Sequence, residues 1–207
     1  MSFIHQFEAG HDPTRPPLLL LHGTGGNEHD LLPLGRDIAP GATLLSPRGK
    51  VLENGMPRFF RRLSEGVFDE ADVVARAQEL ADFVDGMRDR HHIAAPIAGG
   101  FANGANIAAA ILLVRPETLS GAILLRAMVP LSRPPNADLA GKPVLMLSGG
   151  QAPIVPAENA ARLAALLTAD GAAVDHRVLP AGHGLSQSDL AIARDWLVIR
   201  TPSSARK

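Results

Sequence analysis

At 207 residues and 46% hydrophobic content, the chain is long enough to bury a substantial core and too short for two ordinary domains, so one domain with one site is predicted. The 20 Lys and Arg against 21 Asp and Glu leave a formal charge of -1, which excludes a general attraction to nucleic acid or anionic lipid and points to a small-molecule partner. The absence of cysteine excludes disulfides, thiolate catalysis and cysteine-based zinc sites, and it fits a reducing cytoplasm.

Met1 to Gln6 lacks the basic flank and long apolar core of a signal peptide, and no apolar run approaches the roughly 20 residues of a membrane span. The chain therefore reads as soluble and cytoplasmic. Phe3 to Phe7 alternates apolar and polar residues and predicts an antiparallel edge strand. Beyond it, short apolar runs alternate with amphipathic stretches, the pattern of a mostly parallel sheet covered by helices on both faces. Strands are predicted at Leu18–Leu21, Ala42–Leu45, Ile93–Ala98, Ala122–Leu125, Val144–Leu147 and Val174–Leu179. Helices are predicted at Glu28–Ile38, Asp69–Arg88, Asn103–Val114, Pro156–Ala169 and Ser186–Ile199; the second carries Val73, Val74, Ala77, Leu80, Ala81 and Val84 at helical spacing. Ser46 to Gly66, rich in Gly, Pro and Arg, is read as a long connection over the carboxyl edge of the sheet, where open α/β folds bind ligands. Residues 1–200 make up the predicted α/β domain, and the tail from Thr201 to Lys207 is expected to be disordered.

Acyl transfer needs a nucleophile on a sharp turn, an imidazole to move its proton, a carboxylate to orient the imidazole, and donors for the oxyanion. Gly100-Phe101-Ala102-Asn103-Gly104 follows a predicted strand and opens a predicted helix, which is the nucleophile-elbow pattern G-x-S-x-G with alanine in place of serine. Ala152, before Pro153-Ile154-Val155-Pro156, stands just past another strand, where the acid belongs. His183, in Gly182-His183-Gly184-Leu185, stands where the base belongs. The order nucleophile, acid, histidine is that of α/β hydrolases. The oxyanion donors are expected to be the backbone N–H groups of Asn103 and of Thr24, in Leu21-His22-Gly23-Thr24-Gly25-Gly26. A phosphate cradle is disfavoured there, because no Lys-Ser or Lys-Thr pair follows the glycines and no G-x-G-x-x-G spacing occurs.

The chain resembles, over nearly its whole length, the small bacterial carboxylesterases of the phospholipase/carboxylesterase family, within the α/β-hydrolase fold. The branch it is most similar to includes hydrolases linked to hydroquinone-type compounds. The resemblance is carried by Leu21 to Gly26, Ser46-Pro47-Arg48-Gly49, Arg58-Phe59-Phe60, Gly100 to Ala108, Pro153 to Pro156 and Gly182 to Leu185. It implies a nucleophilic serine at the place of Ala102, an aspartate at the place of Ala152, and Arg48, Arg58, Phe59 and Phe60 as candidates around the acyl or alcohol pocket, with a solvated arginine and a core Phe pair as the equally weighted alternative. Met128 is a further candidate for the pocket wall, with core filling as its competing reading.

Competing readings stay open. Either alanine can be an ordinary small residue at a close contact or turn. No other carboxylate replaces the acid: Glu158 lies a turn into the next helix, and Asp170 and Asp175 flank that helix's far end. The adjacent His91 and His92 make a poor chelate, and His22 reads as packing behind the Gly23 loop. The leading expectation is a serine-type carboxylic-ester hydrolase disabled by Ala102 and Ala152, as directed substitution would leave it, with no metal and no organic cofactor. The alternatives are a natural pseudoenzyme that binds a small ester or aromatic ligand, and water attack assisted by His183. A homodimer is left open.

Overall fold

The computed structural model describes residues 2–200, so the predicted tail lies outside the described residues. In chain order the elements are β1 (His5–Glu8), β2 (Leu18–Leu21), α1 (Leu32–Ile38), β3 (Leu44–Pro47), β4 (Val51–Glu53), β5 (Met56–Arg58), β6 (Arg62–Ser64), β7 (Val67–Phe68), α2 (Glu70–His91), β8 (Ile97–Phe101), α3 (Asn103–Val114), β9 (Gly121–Leu125), β10 (Pro143–Gly149), α4 (Ala157–Ala169), β11 (Ala173–Leu179) and α5 (Gln187–Arg200). Seven strands form one sheet in the order β1-β3-β2-β8-β9-β10-β11. All its pairings are parallel except β1 on β3, so the predicted antiparallel edge strand is present.

Alternation along the buried strands divides the core in two. Leu19, Leu21, Ala98, Leu124, Val144 and Met146 face a cluster shared with α2, α3 and α4. Leu18, Leu20, Ile97, Ile123, Leu145 and Leu147 face a second cluster with Leu32 and Ile38 of α1 and Ala193, Trp196 and Leu197 of α5. Both faces of the sheet are thereby covered, which is why its central strands read as continuous apolar runs.

Three of the departures from expectation have local reasons. The strand predicted from Ile93 begins at Ile97, because Pro96 has no N–H to give the ladder, and Ile97 N–H is the first to pair, with Pro17 O at 2.9 Å. Helix α1 starts at Leu32, not Glu28, with Pro33 in its first turn, where a missing N–H is harmless. The connection from Ser46 to Gly66 is not irregular: it holds the hairpins β4–β5 and β6–β7. Asn54 (φ 51°) and Gly55 (φ 78°) form the first turn with both residues left-handed, the conformation that matches strand twist in a two-residue loop.

Strand order reverses its direction of growth between β2 and β8, so the crevice at their carboxyl ends is the switch point where such sheets bind ligands. Glycine sets how tightly that corner closes. A Cβ on Gly104 would overlap the Leu21 carbonyl, and one on Gly100 would fall 2.5 Å from Gly104 O. Gly104→Ala is therefore expected to lower stability in urea denaturation by about 3 kcal/mol or to prevent folding. Gly86→Ala, within α2 and with nothing near its Cβ position, should instead raise it by about 0.5–1 kcal/mol.

Candidate active site

The elbow is a backbone feature before it is a chemical one. Between β8 and α3 the chain turns within a single residue, and Ala102 adopts φ 51° and ψ -112°, a conformation that L residues rarely occupy. Two hydrogen bonds hold it there: Ala102 N–H donates to Leu125 O at 2.9 Å, and Ala102 O accepts from Asn106 N–H at 2.9 Å. Strain of this kind costs about 1–3 kcal/mol and persists only where the surroundings over-determine it.

Ala102 opens onto a cleft of about 310 Å³ that is also lined by Thr24, Arg58, Asn103, Met128 and His183. Six of the sequence-derived candidates thus meet in one place. Arg62, Glu65, Gly66 and Phe68, from the β6–β7 hairpin, close one side. Asn106, Ile154, Val155 and Arg126 complete the wall. Met128 is held by its backbone, whose N–H donates to Asn106 Oδ1 at 2.7 Å. Thr24 Oγ1 accepts from Arg58 Nη1 at 2.7 Å, which ties the loop after β2 to the first hairpin.

Ala152 lies apart, in a neighbouring cavity of about 290 Å³ that shares only Val155 with the cleft wall. Its turn is nonetheless attached to the histidine loop, since Gln151 N–H donates to Ala181 O at 3.0 Å. Three further candidates do not line the cleft. The Arg48 guanidinium is engaged by Glu28, with Nε–Oε2 at 2.6 Å and Nη2–Oε1 at 2.9 Å. Phe59 and Phe60 are buried in the core, the first against His22 and the second edge-on to Phe68. Phe59 does serve the site through its backbone, donating its N–H to Asn103 Oδ1 at 2.7 Å.

His183 is half-buried beside Phe101, with ring centroids 5.3 Å apart. Its Nδ1 is buried and has no hydrogen-bond partner, and the residue lines the cleft. Burial, followed by the nearby Arg126 cation, holds its pKa below the ordinary histidine value.

Arg126 and Asp189 were invisible to motif reading. Arg126 has a fully buried side chain and a left-handed backbone (φ 58°), and it pairs with Asp189 through two contacts of 2.9 Å. Its Nε donates to Gly182 O at 3.0 Å, its Nη2 to Gly184 O at 3.1 Å and its Nη1 to Leu147 O at 3.2 Å. The one available signal was Ser186-Gln187-Ser188-Asp189, a capping box in which Asp189 Oδ2 accepts from Ser186 N–H and Oγ, both at 2.8 Å.

His22, 2% exposed, is structural as expected. Its Nδ1–H can only donate to Gly23 O (2.7 Å) and its Nε2 accepts from Gly49 N–H (3.0 Å), so it is neutral, and burial lowers its pKa. No group of His, Asp and Glu among the described residues is arranged to hold a metal ion, and no described helix is long and apolar enough to cross a membrane.

Two outcomes are expected. Ala102→Gly should raise stability by about 1 kcal/mol in urea denaturation, because relief of the elbow strain exceeds the added chain entropy. His22, His176 and His183 all have folded pKa values below their unfolded ones, so the unfolded chain binds more protons as pH falls through about 6.5. Their contribution to stability is complete above that pH and declines below it. The melting temperature should therefore fall between pH 7.5 and 5.5, and His22→Gln, which keeps an acceptor for Gly49, should flatten the slope.

Comparison with known proteins agrees with this geometry. The model of the phospholipase/carboxylesterase family matches residues 4–200. The putative hydrolase MhqD of Bacillus subtilis (strain 168) is 50% identical over 181 residues, which cover 86% of this chain and 90% of that protein. The crystal structure of the Bacillus cereus carboxylesterase superposes with a TM-score of 0.93 at 43% identity, covering 95% of this chain and 94% of the other. That of a carboxylesterase from Mesorhizobium loti gives 0.89 at 34% identity, with 95% and 94% covered. With its mostly parallel sheet, its elbow at the switch point and a family match over nearly its whole length, this chain belongs to the phospholipase/carboxylesterase family of α/β hydrolases.

Proposed function

We propose that the chain is a serine-type carboxylic-ester hydrolase in architecture, impaired in turnover by alanine at the nucleophile and acid positions. One observation carries the reading: Ala102 keeps the strained backbone of a nucleophile elbow and opens onto the same cleft as an imidazole whose Nδ1 is buried without a partner. A buried polar atom left unpaired costs about 1–3 kcal/mol, so a missing acceptor is the simplest account of it. A carboxylate at position 152, whose turn is bonded to the histidine loop, would supply that acceptor.

In the intact arrangement, a hydroxyl at position 102 attacks the ester carbonyl while His183 Nε2 takes its proton. The Thr24 and Asn103 N–H groups bind the oxygen as it becomes anionic. Collapse of the tetrahedral intermediate breaks the bond to the alkoxide, which takes the proton back from His183 and leaves as alcohol. Water then repeats the sequence on the acyl-enzyme and releases the acid. The substrate is a small ester. Met128, Phe68, Ile154 and Val155 offer apolar contact, and Arg58 offers a cation beside the Thr24 loop.

A short-chain p-nitrophenyl ester tests the proposal. The chain as it stands should show no acyl-enzyme burst and a rate lower by about 10⁶-fold than an intact enzyme, the loss that follows removal of a nucleophile in subtilisin. Ala102→Ser combined with Ala152→Asp should restore both burst and turnover. A burst from the unsubstituted chain would show that the nucleophile lies elsewhere. A double variant that binds ester and leaves it unhydrolysed would favour a binding protein.

A further inference from the structure

We propose that Arg126, held by Asp189, is the positioning residue that fixes the His183 imidazole against the elbow. The inference rests on the esterase reading for its catalytic part and on the geometry alone for its structural part.

A guanidinium carries five N–H donors in a rigid fork. In Arg126 each has an acceptor: Gly182 O for Nε, Leu147 O and Asp189 Oδ1 for Nη1, and Gly184 O and Asp189 Oδ2 for Nη2. The group lines the cleft, yet no donor remains for a ligand. Two of the acceptors are the carbonyls on either side of His183, so the fork grips the backbone that carries the base. The third carbonyl belongs to β10, the strand that leads to Ala152. Asp189 neutralises the charge and in turn caps α5, the helix that the histidine loop enters.

The same strand end holds the other half of the site. Leu125 O, one residue before Arg126, accepts the Ala102 N–H, and Met128, two residues after it, is fixed by Asn106 of α3. The carboxyl end of β9 therefore sets the distance between the nucleophile position and the base, with a backbone bond on one side and a side-chain fork on the other. His183 has no hydrogen bond of its own to perform this task. The clamp places the ring, while the tautomer is left to whatever occupies the acid position.

Removing one partner of a buried ion pair strands the other, whereas replacing both by apolar residues of similar volume often leaves a stable fold. The informative variant is therefore Arg126→Met combined with Asp189→Leu, confirmed as folded by circular dichroism. In the unsubstituted chain, the imidazole of His183, assigned by its disappearance in His183→Gln, should give one sharp set of nitrogen NMR resonances. In the clamp variant these should broaden or split, and the titration midpoint should rise as the cation leaves and water enters. Ring signals and midpoint unchanged in the folded variant would overturn the proposal. In the Ala102→Ser/Ala152→Asp background, with a p-nitrophenyl ester, kcat should fall by about 10²-fold while KM stays within about twofold, because a misplaced base weakens the transition state and spares ground-state binding. A kcat within threefold of the parent would also overturn it. If that parent is itself inert, the esterase reading fails and the NMR comparison still decides the clamp. Should the apolar pair not fold, Arg126→Lys, which keeps the charge and loses the fork, carries the same measurements.

Discussion

The organising constraint is the closeness of α3 to the end of β2. Helix α3 begins so near the sheet that residue 104 can have no side chain, because the Leu21 carbonyl already occupies the place of its Cβ. A turn that must connect β8 to a helix packed this tightly cannot spread its curvature over several residues. Ala102 absorbs it with a left-handed φ, and the next residue starts the helix. Asn103 consequently stands at a helix N-terminus and lines the same cleft as Thr24. Proximity, strain and the polar mouth of the cleft are one consequence of a single steric fact.

His183 needs a different solution, since it arrives on a loop between β11 and α5, some 80 positions further along the chain. Loops have few buried contacts with which to hold a side chain in place. Here the stiffness is borrowed from a fully buried ion pair. Such pairs add little net stability, because desolvating two charges offsets most of their attraction. What Arg126 and Asp189 contribute is definition: five donors meeting five acceptors in a fork leave one geometry for Gly182 and Gly184. The depressed pKa of His183 has the same origin, since the burial and the cation that lower it belong to the clamp's own surroundings.

How much of this was legible in the sequence depends on whether the cause is local. Period-two burial and period-3.6 burial are local, so Leu18–Leu21 and Asn103–Val114 were read at their true limits. The elbow was legible because glycines at 100 and 104 and their spacing encode the close approach directly. The hairpin at Asn54-Gly55 was equally legible, and it went unread because the surrounding Pro and Arg residues suggested an irregular loop. For Arg48, Phe59 and Phe60 the sequence left two readings open, pocket wall or elsewhere, for another reason. Nearness to the cleft along the chain does not say which way a side chain points, and Glu28 in one case and the α2–α3 core in the other captured them. Arg126 was missed because a single arginine after an apolar strand reads as a surface cation. Its five acceptors come from three distant segments, and no window along the chain contains them.

These features bear on what the alanines mean. A strained backbone at 102, a buried charge pair and an unpaired imidazole nitrogen each lower stability or leave it unimproved. A site reshaped for binding alone would gain by relaxing them: glycine at 102, an apolar pair in place of the clamp, a partner for Nδ1. None of these relaxations is present. The strained turn, the buried pair and the unpaired nitrogen stand together around alanine at 102, and this supports the proposed reading of the chain as an esterase scaffold.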